Sequence, residues 1–159
     1  MHPTPTNHNA MSRSLPFFLF TFSLSLVANP EPVKEVIISG NDAMQFDIKN
    51  FQAKPGESIR LTLKNIGSIP KIAMGHNWVL LKKGADAISF GQKVLASGGS
   101  ATNPLPKSLL GDVLAHTKLL GPGESESISF TAPTIAGEYE YVCTFPGHFA
   151  MMRGSMEVK

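Results

Sequence analysis

Short runs of alternating hydrophobic and polar residues recur through most of the chain. The clearest is Ser58–Asn65, where Ile59, Leu61 and Leu63 alternate with polar neighbours. Glu138–Cys143 shows the same period, with its tyrosines and cysteine on one face and its glutamates on the other. A period of two predicts half-buried β-strands. The same period predicts strands at Met44–Lys49, Glu124–Phe130 and Ser155–Lys159. Two further strands are predicted from composition: Lys34–Ser39 contains a short β-branched run, and Trp78–Leu81 is apolar throughout, as in a buried strand.

The region Gly84–Ala115 departs from this pattern and is longer than a hairpin loop. Within it, the apolar positions of Ala85–Leu95 have helical spacing, and Lys107–Val113 is consistent with a short helical turn. Elsewhere, glycine and proline separate the strands, as at Pro55-Gly56. Several short strands split by such turns predict an all-β sandwich or barrel, with one helical insertion between the middle strands.

The N-terminal residues 1–28 have the character of a polar extension followed by a secretory signal peptide. Arg13 precedes the apolar run Leu15–Val27, which is too short to span a membrane. We expect cleavage near Ala28, leaving 29–159 as a single domain. Translation from Met11 instead of the first methionine is one alternative, and an uncleaved N-terminal anchor is another.

Composition narrows the functional classes. Hydrophobic residues make up 42% and charged residues 16%, which are values of a globular domain, and the formal charge of +2 is too small to indicate a nucleic-acid partner. The chain has one cysteine, Cys143. A single unpaired cysteine is unusual in an exported protein, and ligation of a metal accounts for it because the metal protects the thiolate.

Four residues with metal-ligand chemistry form the candidate site. Cys143, His148 and Met152 follow the spacing Cys-x4-His-x3-Met, and His76 lies far upstream in Met74–Trp78. Two imidazoles, one thiolate and a weak thioether are the donor set of a blue-copper site. Taken alone, Cys143 also fits an inert buried thiol or a Cys–His nucleophile, but the sequence offers no evident third group to orient such a nucleophile.

Several segments resemble azurins, members of the cupredoxin family. CTFPGH at Cys143–His148, followed by three residues and Met-x-Gly, closely resembles the azurin copper loop. MGHNWVL, GNDAMQF and AHTKLLGPGE resemble further azurin segments, so the likeness extends from about Val36 to Lys159. It implies a single azurin-like cupredoxin domain at 29–159. The implied fold is a Greek-key β-sandwich or barrel of about eight strands with a short helical flap.

The resemblance also implies roles for neighbours of the ligands. The carbonyl of Gly75 would face one copper ion as a weak axial contact, opposite Met152. Asn77 would tie the two metal-bearing segments together, with Thr144 similarly placed. The backbone amides of Asn77 and Phe145 would donate to the sulfur, which stabilises a thiolate.

The implied function is a shuttle of single electrons between Cu(I) and Cu(II) in the periplasm, without enzymatic activity. His148 would be the electron exit, surrounded by an apolar docking patch of Met74, Pro146, Phe149 and Ala150. Transient partners would be redox proteins such as c-type cytochromes or copper or haem reductases. We expect a monomer with no stable membrane association and no nucleic-acid partner.

Other functions share parts of this pattern. A periplasmic copper carrier or scavenger would use the same ligands. A copper oxidase or nitrite reductase would need a second metal centre, which one cysteine and the histidines left after export cannot build. Two departures from azurins are also visible: no second cysteine is present for their disulfide, and Asn65 replaces a histidine that some azurins carry. His116 has no predicted role beyond that of a surface residue.

Overall fold

Two β-sheets form the body of the molecule in the computed structural model, which describes residues 1–4 and 32–159. The nine strands of this described part are β1 (Lys34–Asn41), β2 (Gln45–Phe46), β3 (Asn50–Ala53), β4 (Ser58–Asn65), β5 (Val79–Leu81), β6 (Val113–His116), β7 (Ser125–Thr131), β8 (Gly137–Val142) and β9 (Arg153–Val158). The helices are α1 (Lys71–Met74) and α2 (Ala87–Ala96), with 3₁₀ turns at Lys107–Asp112 and His148–Ala150.

The strands pair into one sheet of order β2-β1-β4-β7 and a second of order β3-β9-β8-β5-β6. β1 pairs with β4, and β3 with β9, in parallel, whereas the other pairs are antiparallel. The alternating residues of β4 point Ile59, Leu61 and Leu63 into the space between the sheets, where each is at most 1% exposed. Mixed pairing between distant segments therefore encloses one core.

Trp78 lies at the centre of this core. Its ring centroid is 5.4 Å from that of Tyr141 and 5.8 Å from that of Phe130, and its side chain is completely buried. A second hydrophobic cluster lies beneath α2, where Phe90 and Val94 pack with Val142 and its buried neighbours on β5. The sheet that contains β5 and β8 is thus covered by apolar groups on both faces near the end of β8.

The fold class predicted from the sequence is confirmed, with nine strands in the described residues and a helical flap at α2. The prediction for Ser58–Asn65 is confirmed residue for residue as β4. The prediction of a strand over Met44–Lys49 is wrong in length, because only β2 is extended there. Met44 has a positive φ of 56° and ends a turn, and the Asp47 carboxylate accepts hydrogen bonds from the amides of Ser39 and Ile48.

Two strands, β3 and β6, are not predicted by the sequence pattern. β3 has only four residues with one fully buried side chain, and β6 alternates between half-buried and exposed positions. Each has only four residues, too short a run for its alternation to stand out in the sequence, and pairing with β9 and β5 fixes their positions. The predicted signal peptide and the boundary near Ala28 lie outside the described residues. Within the part that is described, no helix is long and apolar enough to cross a membrane.

Candidate metal centre

Three potential ligand side chains, separated widely in sequence, meet at one end of the sandwich. Each of His76, Cys143 and His148 offers one ligand atom, a ring nitrogen or the sulfur, and these three atoms lie within 4.8 Å of one another. All three residues are buried. The Sγ atom of Cys143 is 3.6 Å from Nδ1 of His148. Metal–nitrogen and metal–sulfur bonds of about 2.0 and 2.3 Å, the lengths found at zinc, span about 3.7 Å at a trigonal angle. The observed separation is therefore close to that of a shared metal.

The loop that carries Cys143 and His148 is held by its own backbone. The amide of Cys143 donates to the Met152 carbonyl at 2.9 Å, and the amide of Met152 donates to the His148 carbonyl at 2.8 Å. Gly147 has a φ of +83°, a left-handed conformation that favours glycine and returns His148 toward the cysteine. Spacing and turn chemistry within the loop thus place two ligand side chains together.

His76 is positioned by groups from other parts of the chain. It follows α1, and its backbone exchanges two hydrogen bonds with Leu120, at 3.0 and 2.7 Å. The carbonyl of Leu120 also accepts from the buried amide side chain of Asn65 at 3.1 Å. Two residues beyond His76, the amide of Trp78 donates to the Thr117 hydroxyl at 3.0 Å. The position of His76 therefore depends on tertiary contacts.

Met152 lies against the same cluster. It is completely buried, whereas the adjacent Met151 is 56% exposed. A Cβ atom added to Gly40 would lie 2.6 Å from Met152 Cε and 3.1 Å from His76 Cδ2. The methionine and the histidine therefore close onto the space that Gly40 leaves open, which brings the thioether chain beside a ligand ring.

Asn77 and Thr144 join the two ligand-bearing segments. The Asn77 side chain donates to the Thr144 hydroxyl at 2.8 Å, and its carbonyl oxygen accepts from the Thr144 amide at 2.8 Å. Both residues are almost fully buried. The pair is a reciprocal bridge between the residues that adjoin His76 and Cys143.

The donor set fits a soft or borderline metal ion. Within the described residues, neither ring nitrogen of His76 has a hydrogen-bond partner, although both are buried. Burial lowers the pKa of His76. The Asn41 carbonyl and the Asp42 carboxylate raise this pKa, but neither lies in hydrogen-bonding geometry with a ring nitrogen. Buried polar atoms normally have partners, so unpaired ring nitrogens beside a thiol indicate a site for a cation.

Burial favours the neutral forms of the ligand side chains. Burial raises the pKa of the Cys143 thiol to about 12, while the backbone amides of Asn77 and Phe145 donate toward the sulfur and oppose that rise. Burial, together with His76, lowers the pKa of His148 to about 4. At neutral pH the imidazoles are therefore free to coordinate. The cysteine would lose its proton when a cation supplies the missing charge.

The predicted docking residues differ in their surroundings. Ala150 is exposed, and Met74 and Pro146 are half-buried. Phe149 is also half-buried, but its ring packs against the cluster beneath α2. Its side chain is therefore partly occupied by contacts within the protein. His116 is exposed, as expected.

Sequence reasoning missed several residues that support the site. Nothing in the sequence marks Gly40 beyond its place in a segment that resembles azurins, and the apolar side chain of Leu120 gives no sign of the role of its backbone. One of these supporting contacts does have a sign in the sequence. Gly91 lies in the middle of the predicted helix, where a glycine suggests that another group approaches the backbone closely. The residue that approaches it is Phe149.

A two-sheet sandwich with a buried His-Cys-His cluster and a neighbouring methionine at one end defines a cupredoxin-type blue copper protein. The comparisons with known proteins agree. The family model for copper binding proteins of the plastocyanin/azurin family matches residues 33–159, and the chain belongs to this family. It is accordingly a type 1 copper protein that carries electrons.

Individual relatives show how far the likeness extends. Azurin from Achromobacter denitrificans is 42% identical over 129 residues, covering 78% of this chain and 83% of that protein. Azurin from Pseudomonas fluorescens biotype C is 37% identical over 132 residues, covering 79% and 98%. Among solved structures, the blue copper protein auracyanin A from Chloroflexus aurantiacus superposes with a TM-score of 0.68 at 29% identity, covering 80% of this chain and all of that one.

Proposed function

We propose that this protein carries single electrons through one copper ion held by His76, Cys143 and His148, with the Met152 thioether as a weaker ligand. The carbonyl of Gly75, implied by the family pattern, would be a further weak contact. The observation that carries the proposal is the convergence of three buried ligand atoms within 4.8 Å. Copper bound there supplies a Cu(I)/Cu(II) couple that takes up and releases one electron.

The protein's own residues would keep the site from rearranging. The loop is fixed by its internal backbone hydrogen bonds, and the Asn77–Thr144 bridge fixes it to the segment of His76. The backbone amides of Asn77 and Phe145 would donate to the sulfur, because both lower the pKa of Cys143. Since the bridge and the loop are buried and hydrogen-bonded within the chain, few atoms would need to move when the charge of the site changes.

Electrons would leave the site at His148, whose neighbours Gly147 and Ala150 are exposed. Met74, Pro146, Phe149 and Ala150 form the proposed docking patch for redox proteins such as c-type cytochromes or copper or haem reductases. Exposed Ile72 and Met151 add apolar surface from the same two segments, at 65% and 56% exposure. Apolar contact of this kind suits short-lived complexes. The proposed role is electron transfer alone, with no enzymatic reaction.

We place the working protein in the periplasm, as a monomer cleaved near Ala28. The support is the apolar run Leu15–Val27 after Arg13, which has the length of a signal-peptide core. Sequencing the N-terminus of the exported protein tests this placement. A mature chain that still begins before Leu15 would contradict it.

Titration of the purified domain with Cu(II), followed by visible absorption and electron spin resonance, tests the copper proposal. We expect an intense thiolate-to-copper band and a narrow copper hyperfine splitting, both lost in Cys143→Ser. The serine variant should still fold, because Cys143 forms no disulfide and serine keeps both the backbone hydrogen bond to Met152 and a side-chain acceptor in place of the sulfur. A colourless complex with an ordinary tetragonal spectrum would reject the electron carrier and favour a copper carrier.

A further inference from the structure

Gly91 occupies the middle of α2, although glycine inside a helix lowers stability by about 1 kcal/mol relative to alanine. The surroundings explain it. A Cβ atom added to Gly91 would overlap Phe149, coming closer to its Cγ and Cβ than real non-bonded carbons do and lying 2.6 Å from its Cδ1. The helix therefore lacks a side chain where Phe149 rests against its backbone.

Phe149 immediately follows His148 in the chain. Its Cβ atom is among the atoms that an alanine at position 91 would meet. Rotation of the phenyl ring cannot move Cβ, because that atom is bonded directly to the backbone. Any side chain at position 91 must therefore displace either α2 or the backbone next to His148.

The strand before the loop contacts the same helix. The Glu140 carboxylate accepts a hydrogen bond from the Ala87 amide at 2.6 Å, at the start of α2. Val142, directly before Cys143, is completely buried in the cluster that contains Phe90 and Val94 of α2. Contacts from one helix thus reach the chain on both sides of the segment Cys143–His148.

We propose that α2 positions the metal loop, Cys143–Met152, and that the close contact between Gly91 and Phe149 fixes the position of His148. Gly91 and Phe149 are positioning residues: neither supplies a ligand atom. The proposal rests on the assignment of His148 as a copper ligand. It also gives the helical flap a role beyond covering the sheet, because the flap connects Glu140 before the cysteine to Phe149 after the histidine.

The test compares Gly91→Ala with Gln92→Ala, an exposed position on the same helix. In the copper-loaded protein, Gly91→Ala should shift the thiolate-to-copper band and the copper hyperfine splitting, and copper should be released about 10-fold faster. Gln92→Ala should match the native protein in all three measurements. A Gly91→Ala protein with native spectra and native copper release would overturn the proposal.

The double variant Gly91→Ala/Phe149→Gly separates the contact from a general effect on the helix. Phe149→Gly removes the atoms that alanine would overlap, so the double variant should resemble Phe149→Gly alone. If both substitutions instead act additively, the Gly91–Phe149 contact does not position the site. Should Gly91→Ala fail to fold, Phe149→Gly alone tests the same contact, because it removes both Cβ and the ring: faster copper release supports the proposal, and native release contradicts it.

Nuclear magnetic resonance of the metal-free protein makes the test independent of copper. The His148 ring resonances should shift in Gly91→Ala and return toward those of Phe149→Gly in the double variant, while those of His116 stay constant. A native protein without a thiolate-to-copper band would reject the proposed function but leave this result intact. Unchanged His148 resonances in a folded Gly91→Ala protein would reject the positioning role itself.

Discussion

The two segments that carry the ligands are built in different ways. The metal loop, Cys143–Met152, is closed by hydrogen bonds between its own backbone groups. The His76 segment, Pro70–Trp78, instead bonds to distant parts of the chain: its partners Thr117 and Thr144 lie 39 and 67 residues away in sequence. One segment is a local structure with most of the ligands, and the other delivers a single ligand through tertiary contacts.

Substitutions in the two segments should therefore have different effects. Substitutions within the loop or against α2 should change the geometry of the ligands, because the loop moves as a unit. Substitutions around His76 should mainly change how firmly the two segments are held together, since no local turn fixes that histidine.

Asn77→Ala breaks the link and should have the largest effect on stability. It removes two buried hydrogen bonds and leaves the Thr144 amide without its acceptor. At roughly 1–3 kcal/mol for each unsatisfied buried group, we expect the free energy of unfolding of the metal-free protein to fall by about 3 kcal/mol. Denaturant unfolding measures it.

Thr144→Val is the matched control for the same bridge, because it removes the hydroxyl acceptor but keeps the backbone amide bonded to Asn77. It should cost about half as much as Asn77→Ala. A loss below about 0.5 kcal/mol in Asn77→Ala would show that the bridge does not hold the segments together. Equal losses in the two variants would assign the stabilisation to the hydroxyl bond alone.

The same difference explains what the sequence could predict. The loop ligands were predictable because spacing within ten residues determines which side chains can meet, and β4 was predictable because its alternation runs the length of the strand. The support of His76 by Leu120 was not, since it uses backbone atoms of residues that pair only in the folded sheet. The contact of Phe149 with Gly91 likewise depends on how α2 lies on the loop.

The weak strands follow the same rule. β3 pairs in parallel with β9, which lies about a hundred residues further along the chain. Its four residues alternate between exposed and more buried positions, but so short a run does not single out a strand in the sequence, and pairing with the neighbouring strand sets their conformation. Local pattern thus predicted the long strands, the helix and most of the site, whereas the non-local contacts that complete the metal centre required the structure.

Lowering the pH should destabilise the metal-free protein. His148 has a pKa of about 4 in the folded chain, below its ordinary value of 6.5, so the unfolded state binds more protons between these values. Its contribution to stability is complete above pH 6.5 and is lost as the pH falls toward 4. We expect a loss of about 2 kcal/mol between pH 7 and pH 5, measured by denaturant unfolding.

The variant His148→Gln separates the contributions of His148 and His76 to this pH dependence of stability. The pH dependence that remains in this variant belongs largely to His76, whose pKa is also lowered by burial. The copper-loaded native protein should lose less stability than the metal-free form, because a ligated nitrogen no longer takes up a proton. A metal-free protein equally stable at pH 7 and pH 5 would mean that neither imidazole is held neutral by burial.

His76→Leu should separate stability from metal binding. The imidazole of His76 is buried with both ring nitrogens unpartnered among the described residues, an arrangement that costs free energy when no cation is present. Leucine has a similar volume and no polar atoms. We expect the metal-free variant to be more stable than the native protein by about 1 kcal/mol in denaturant unfolding, and to form no thiolate-to-copper band with Cu(II).

The matched control is His116→Leu, which makes the same substitution at an exposed histidine outside the site. Its stability should change by less than about 0.5 kcal/mol, and its copper spectrum should remain native. A His76→Leu protein less stable than the native one would mean that the leucine does not fit against Gly40 and Met152, or that the imidazole is satisfied without metal. A gain confined to position 76 would instead show that the fold gives up stability there to keep a ligand free.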